Sequence, residues 1–349
     1  MRGLFSLLFG ASMLLVIERA KAAGESPVRV HFSRMAVLLC IGLLHRYLIW
    51  WGDILAHYAL VGAIAFLFTR LSARQLLLAS LASLALAFYN NLYDLRTMSA
   101  AASRDTPDAL AIWNNFAWYF GLPPRDWIDG QVAAYRGSWS QRIAWNWTHL
   151  DTVLGFLKSV GPETLAAMLL GMAGYRSGYL KGEWSQRDYL ICALLGLGLA
   201  IPAYLLLGIN SMVHGFDQRS VLLGSFVASE PFRLLGAGGY ASLFILLIKP
   251  EGWLGVRLAA VGRAAFTNYL GTSVLVTMIF YGWGLGQYAR WNRAEIHIIP
   301  PLVWALMLIW SKPWLERYRY GPLEWFWRTL ARGRPQTMRR GAQAAHQLT

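Results

Sequence analysis

Charge is scarce in this sequence. Of its 349 residues only 14% are Asp, Glu, Lys or Arg, against roughly 25% in an ordinary soluble domain. That leaves too little polar surface to cover a water-soluble globule of this length. Cysteine is scarcer still. The two present, Cys40 and Cys192, both sit inside apolar runs, which argues against a disulfide framework or a thiolate zinc site and for small apolar helix residues. Acidic residues number 18 against 32 basic ones, a net charge of +14. Such an excess can serve nucleic acid, but here the basic residues fall between apolar runs and in the C-terminal tail, which points to a membrane and to no nucleic-acid partner. Also missing are a Walker A loop, a dinucleotide fingerprint, His-Glu zinc spacing and a Gly-x-Ser-x-Gly elbow, so no metal ligands are assigned. No small-residue cleavage site closes the first apolar run as a signal peptide would require.

What is abundant is apolar sequence, 56% of the chain. A helix needs about 20 mostly apolar residues to cross the hydrocarbon core. Nine runs qualify or nearly do: 4–17, 35–51, 54–68, 75–92, 163–180, 189–209, 232–248, 256–283 and 298–310. The run 256–283 is long enough to tilt, and 221–228 is too short to cross. The expected fold is therefore all-α, a polytopic integral membrane helix bundle of about nine transmembrane helices.

Lys and Arg orient it. Arg19, Lys21, Arg29 and Arg34 fill the first loop, Arg70 and Arg74 the third, Arg176, Lys181 and Arg187 the fifth, Lys249 and Arg257 the seventh. The tail holds Lys312, Arg317, Arg319, Arg328, Arg332, Arg334, Arg339 and Arg340. These segments alternate, so one orientation satisfies all of them: basic side and C-terminus cytoplasmic, in a bacterial inner membrane. Nine spans then place the N-terminus outside, an arrangement that one further upstream helix would relieve.

The expected organisation is a four-helix segment (1–92), an extracytoplasmic amphipathic segment (93–160), a second membrane region (161–330) and a basic disordered tail (331–349). The extracytoplasmic stretch carries Trp113, Trp118, Trp127, Trp139, Trp145 and Trp147. Tryptophan favours the membrane–water interface, so short surface helices are expected, with a sugar-binding platform as the alternative. No internal repeat marks an inverted-repeat transporter. Gly236-Ala237-Gly238-Gly239 and the Gly174/Gly178 pair are expected to let helices pack closely.

Ionisable groups inside a membrane are costly, so each invites a functional reading. The densest group runs from Gly42 to Tyr58 and includes His45, Arg46, Asp53 and His57. His45 lies about 16 Å along its helix from Arg34, near mid-membrane. It is a candidate general base, and Asp53 a second catalytic candidate. Arg46 and Asp53 are seven apart on nearly one face, so a bend at Gly52 or a bridging substrate would join them. The blander reading is a histidine bonded across helices. In the second group Arg263 and Thr267 share a face, and the arginine fork suits phosphate or carboxylate, unless it only snorkels to headgroups. Asn268 points elsewhere and can act as interhelical glue. In the third, Glu324 and Arg328 have the i,i+4 spacing of a surface salt bridge.

Taken together, several motifs carry a resemblance. They are Leu4-Phe5-Ser6-Leu7-Leu8-Phe9-Gly10-Ala11-Ser12, Gly42-Leu43-Leu44-His45, Gly52-Asp53-Ile54-Leu55, Gly262-Arg263, Thr267-Asn268-Tyr269 and Gly321-Pro322-Leu323-Glu324-Trp325. Their order and spacing, from residue 2 to about 330, resemble the YeiB family of bacterial membrane proteins. That family looks related to transmembrane acyltransferases such as heparan-alpha-glucosaminide N-acetyltransferase and the OpgC glucan succinyltransferases. Family members usually begin with an extra helix bearing a Leu-Asp-x-x-Arg-Gly type motif, whereas this chain opens at the element that follows. The histidine proposed as catalytic in the related acetyltransferases lies near that helix and is not carried over to a position here.

The resemblance implies an acyl group moved from a cytosolic CoA-type donor to an extracytoplasmic, carbohydrate acceptor. His45 and Asp53 would be catalytic. Arg46, Arg263, Thr267, Asn268, Tyr269 and Glu324 would bind substrate or donor. Acyl-CoA would serve as donor substrate, and no cofactor is otherwise assigned. Beyond the bilayer, the partners are the glycan and a second copy of the chain in a homodimer. The rival expectations are a transporter using the same polar residues as a substrate path, and a non-catalytic membrane protein.

Overall fold

The computed structural model describes residues 2–149 and 152–340. Helices occupy all nine expected apolar runs. In chain order they are α1 (Arg2–Ala22), α2 (Pro27–Leu48), α3 (Leu55–Ala65), α4 (Ala73–Ala101), α5 (Pro107–Phe120), α6 (Arg125–Arg136), α7 (Trp139–His149) and α8 (Val153–Arg176). There follow α9 (Gln186–Val213), α10 (Gln218–Leu222), α11 (Glu230–Leu247), α12 (Trp253–Arg263), α13 (Ala265–Phe280), α14 (Arg293–Ile296), α15 (Ile299–Arg317) and α16 (Pro322–Arg332). Among the described residues there is no strand, only an isolated antiparallel bridge between Tyr318 and Arg339.

Among the described residues six helices are long and apolar enough to cross a membrane: Arg2–Ala22, Pro27–Leu48, Ala73–Ala101, Val153–Arg176, Gln186–Val213 and Arg293–Arg317. Leu55–Phe68 and Ala265–Phe280 are shorter apolar helices. The local signals that start these helices are polar caps. Ser26 accepts from the Arg29 amide ahead of Pro27, Ser72 and Gln75 form a capping box, and Thr152 and Ser185 cap α8 and α9. Each satisfies amides that a helix start leaves without partners.

Two expectations are corrected here. The run 256–283 is not one tilted span. It breaks at Ala264 (φ −107°, ψ 25°) into α12 and α13. Gly178 does not serve packing either. It sits in a left-handed turn at φ 81°, where glycine carries no steric penalty.

The chain divides into two compact units, each assembled from separate stretches. The first comprises Met1–Gly24, Leu60–Ile128 and Asp151–Leu247. Its helices approach through small residues, as expected where lipid supplies no hydrophobic drive and backbones must come close. A Cβ on Gly10 would lie 2.0 Å from the Met168 carbonyl oxygen, and one on Gly171 would lie 1.8 Å from that of Leu7. Gly196 and Gly239 meet backbone to backbone between α9 and α11. The Ser80 hydroxyl donates to the Ala166 carbonyl across α4 and α8 at 2.6 Å.

The second unit comprises Glu25–Ala59, Asp129–Leu150 and Ile248–Thr349. Gly42 of α2 lies against α3, where a Cβ would be 2.2 Å from the Ala56 nitrogen. Helix α16 packs on α2: Arg34 stacks 4.2 Å from the centre of the Trp327 ring, whose indole nitrogen donates to the Arg34 carbonyl. Part of the expected polar tail is paired. The Arg319 amide donates to Met338, the Arg340 amide to Arg317, and the Trp325 indole to Gln336. Residues 341–349 of that tail lie outside the described residues.

Candidate functional site

The second unit brings most of the expected polar residues together. Helix α2 ends at Leu48, so His45 sits in its last turn rather than midway along a longer span. The chain then leaves helical geometry through Ile49–Ile54 before α3 begins. That turn folds Asp53 back onto His45, with Nδ1 2.8 Å from Oδ1. The other carboxylate oxygen accepts from the Ala56 amide at 3.0 Å, near the start of α3. Both side chains are buried, 1% and 0% exposed. The expected Arg46–Asp53 alignment gives way to this His–Asp pair, because the helix stops between the two residues. Arg46 is also buried, and its Nη1 donates to the Trp51 carbonyl at 3.1 Å, holding the same turn.

Tyr269 of α13 completes the cluster. Its hydroxyl accepts from the Ile54 amide at 3.2 Å and lies 3.4 Å from Asp53 Oδ1. Its ring centre is 5.5 Å from that of His45, and Trp50 flanks the imidazole edge-on at 6.2 Å. An acceptor at Nδ1 fixes the tautomer with the proton on that nitrogen, which leaves the Nε2 lone pair open. Nε2 is buried and has no hydrogen-bond partner among the described residues. A carboxylate-oriented imidazole with a free ring nitrogen is equipped to accept a proton.

A cavity of about 800 Å³ adjoins the cluster. Trp50, Trp51 and Tyr269 line it, His45 itself does not, and it runs from Gly262 at the end of α12 along α13 to Tyr281 and Tyr288. The 16 residues of α13 alone give it a length of about 24 Å. Arg263, next to Gly262, is exposed at the end of α12, where a cation favours the helix dipole. Among the described residues no hydrogen bond or ion pair of its side chain is formed. The break at Ala264 separates it from Thr267, so the two do not share one helix face as the sequence suggested.

Three expected binding residues are occupied structurally. Glu324 accepts from the Phe266 and Thr267 amides at 2.6 and 3.0 Å, and from the Thr267 hydroxyl. It thus caps α13, which has no side-chain cap of its own, and it does not form the expected salt bridge with Arg328. Thr267 also receives the Leu323 amide at 3.0 Å. Asn268 donates to the Val261 carbonyl and to Ser311, and accepts from the Trp310 indole at 2.9 Å. It therefore clamps the α12–α13 break to α15, although it also borders the cavity.

Sequence reasoning missed the role of α7. The Trp139 indole (2.7 Å) and the Arg142 guanidinium both donate to the Leu48 carbonyl, holding the end of the helix that carries His45. Arg142 also lies 5.5 Å from the Tyr281 ring centre. Tyr135 stacks on Tyr288 at 4.8 Å and donates to Asn146 at 2.8 Å. Burial pushes the Tyr135 phenol far above its ordinary range, and the Tyr288 phenol adds to this. Burial also lowers the Arg142 guanidinium, with Tyr281 and Tyr135 opposing. The tryptophan clustering was the available signal, but interfacial anchoring explained it without a tertiary contact. Among the described residues no three His, Cys, Asp or Glu side chains are grouped as metal ligands.

Long apolar helices, small-residue packing and buried polar clusters define the class: an all-α, polytopic membrane protein. Comparison with known proteins places it more narrowly. The family described as "Protein of unknown function (DUF418)" matches residues 174–334. The chain is 30% identical to YxaH of Bacillus subtilis (strain 168) over 342 residues, covering 93% of this chain and 77% of that protein. It is 30% identical to YeiB of Escherichia coli (strain K12) over 339 residues, covering 94% of this chain and 80% of that protein. A 39.9 kDa protein encoded in an amylase 3' region of Bacillus acidopullulyticus is 25% identical over 338 residues, 95% of this chain and 79% of that protein. No solved structure matches the chain. The protein belongs to the YeiB-like family.

Proposed function

We propose that the second unit is an acyl-transfer site, taking an acyl group from a cytosolic CoA-type thioester to a hydroxyl of an extracytoplasmic carbohydrate. The observation that carries this reading is the buried His45–Asp53 pair with Nε2 unpartnered, beside a long cavity. The acceptor O–H gives its proton to Nε2 as its oxygen bonds to the thioester carbonyl carbon. The tetrahedral intermediate collapses, the C–S bond breaks, and the imidazolium returns the proton to the departing sulfur. Asp53 stabilises the imidazolium between these steps, and the buried setting strengthens that contact. Arg263 offers its fork to a donor phosphate at one end of the cavity.

The reading places the chain in the bacterial inner membrane with a cytoplasmic C-terminus, so that Arg263 faces the donor compartment. It is tested with purified protein and acetyl-CoA. Calorimetry reads donor binding, and thiol release reads turnover on oligosaccharide acceptors. Saturable binding that Arg263→Ala weakens, with thiol release abolished by His45→Ala, is the expected result. A parent protein that binds no acyl-CoA overturns the proposal.

A further inference from the structure

The first unit has a polar cluster and a cavity of its own. Two guanidiniums, Arg2 from α1 and Arg233 from α11, converge on one carboxylate, Glu163 of α8. Arg233 also reaches Glu230 at 3.4 Å and donates to the Ser225 carbonyl. Glu230 is fully buried, and one of its oxygens has no hydrogen-bond partner among the described residues. Asn91 of α4 donates to the Phe226 carbonyl at 3.1 Å and lies 3.5 Å from the other oxygen of Glu230. Charges in this number inside a helix bundle mark a functional site by default.

The exposures decide what that site presents. The Arg2 and Arg233 side chains are 33% and 18% exposed, against 9% for Glu163 and 0% for Glu230. Glu230 lies behind, while Glu163 shares the wall with the two guanidiniums it pairs. They border a cavity of about 740 Å³, with Ser225, Ser229 and the Tyr204 ring beside them. Ser225 lies in a π-helical stretch, Leu223–Ala228. Such stretches open the backbone and recur at functional sites.

From Arg233 the same cavity wall continues along α11 through Ala237, Tyr240 and Phe244. These positions share one helix face and extend about 16 Å. The wall thus passes from cationic to apolar along a single line.

We propose that this cleft binds a phosphate-bearing amphiphile, with its phosphate held by Arg2 and Arg233 and its tail along Ala237, Tyr240 and Phe244. A guanidinium pair matches phosphate oxygens in geometry and charge. A carboxylate ligand would make fewer charged contacts with two forks. A cation would meet a net positive wall, two guanidiniums against the one carboxylate of Glu163. The site shares no residue with the cavity along α13 or with the His45–Asp53 pair, so either reading can fail without the other.

The test uses the detergent-solubilised full chain titrated with short-chain phosphatidylglycerol, phosphatidylcholine of equal chain length, and inorganic phosphate, read by native mass spectrometry. One saturable phosphatidylglycerol molecule is expected, with weaker phosphatidylcholine binding. Arg233→Gln and Arg2→Gln should each weaken phosphatidylglycerol by about tenfold or more, the scale of one charged hydrogen bond. Exposed Arg125→Gln should leave it unchanged. Should the glutamine variants misfold, Arg233→Lys keeps the charge, loses the fork, and should still weaken binding. Phe244→Ala should weaken phosphatidylglycerol and leave inorganic phosphate unaffected. Indifference to Arg233 substitution, or no saturable binding of either phospholipid, overturns the proposal. Inorganic phosphate binding as tightly as the lipid removes the tail from it.

Discussion

His45 shows how a residue expected from sequence acquires its role from a contact that sequence does not display. The histidine, the aspartate and the glycine between them were legible as a polar cluster in an apolar run. Their pairing was not, because i,i+8 contact requires the helix to end, and the apolar pattern continues unbroken through Leu48, Ile49 and Trp50. The pairing makes a stability prediction. In Asp53→Ala the His45 Nδ1–H and the Ala56 amide both lose a buried acceptor. A loss of about 2–4 kcal/mol is expected from two such groups, read as a fall in the unfolding midpoint of the detergent-solubilised protein. An unchanged midpoint would mean that the pair is not formed. Tyr135 gives a pH prediction. Its phenol titrates higher when folded than the ordinary value of about 10, so above that pH the unfolded chain releases a proton that the folded one keeps. Stability contributed by this group is complete below pH 10 and declines as pH rises beyond it. Tyr135→Phe should flatten that alkaline decline. An identical slope in the variant would show that other groups cause it.

Elements were legible where apolar length decided them and illegible where a distant residue did. Nothing in the run 256–283 announces a break, since Ala264 and Ala265 are good helix formers. The break is held from elsewhere: Glu324 supplies the acceptor for the first amides of α13, and Asn268 ties the gap to α15. A carboxylate at a helix start also meets the positive end of the dipole. Glu324→Ala should therefore cost about 1–2 kcal/mol, as for loss of an N-cap. Glu324→Gln should recover part of this through its remaining amide oxygen. Equal stability of all three proteins, measured by thermal unfolding in one detergent, would return Glu324 to a surface salt-bridge role. A second element-scale test is Gly42→Ala. Its Cβ would fall 2.2 Å from the Ala56 backbone, where no flexible side chain can yield. An overpacking cost of about 1–3 kcal/mol follows. It should be accompanied by slower thiol release, since the Ala56 amide of α3 holds Asp53.

For the molecule as a whole, the orientation rests on Lys and Arg, and the long segment between α4 and α8 is its hardest test. That segment carries four arginines, Arg104, Arg125, Arg136 and Arg142, yet the proposed topology puts it outside. Two facts reconcile this. Long loops translocate largely regardless of charge, so the rule weighs the short basic loops more heavily. Arg136 and Arg142 are also held by backbone carbonyls: Arg136 donates to that of Tyr288 at 2.8 Å and buried Arg142 to that of Leu48. They act as structural braces, which leaves fewer arginines to oppose export. The prediction follows in intact cells, with Cys40 and Cys192 first replaced by serine to silence the native thiols. A cysteine at exposed Ser103 should react with a membrane-impermeant maleimide added outside. A cysteine at exposed Arg334 should react only after the cells are opened. The reverse pattern would invert the bundle, place Arg263 outside, and remove the cytosolic donor from its reach. Labelling of both sites in intact cells would mean that two orientations coexist, with the four arginines contesting the basic loops.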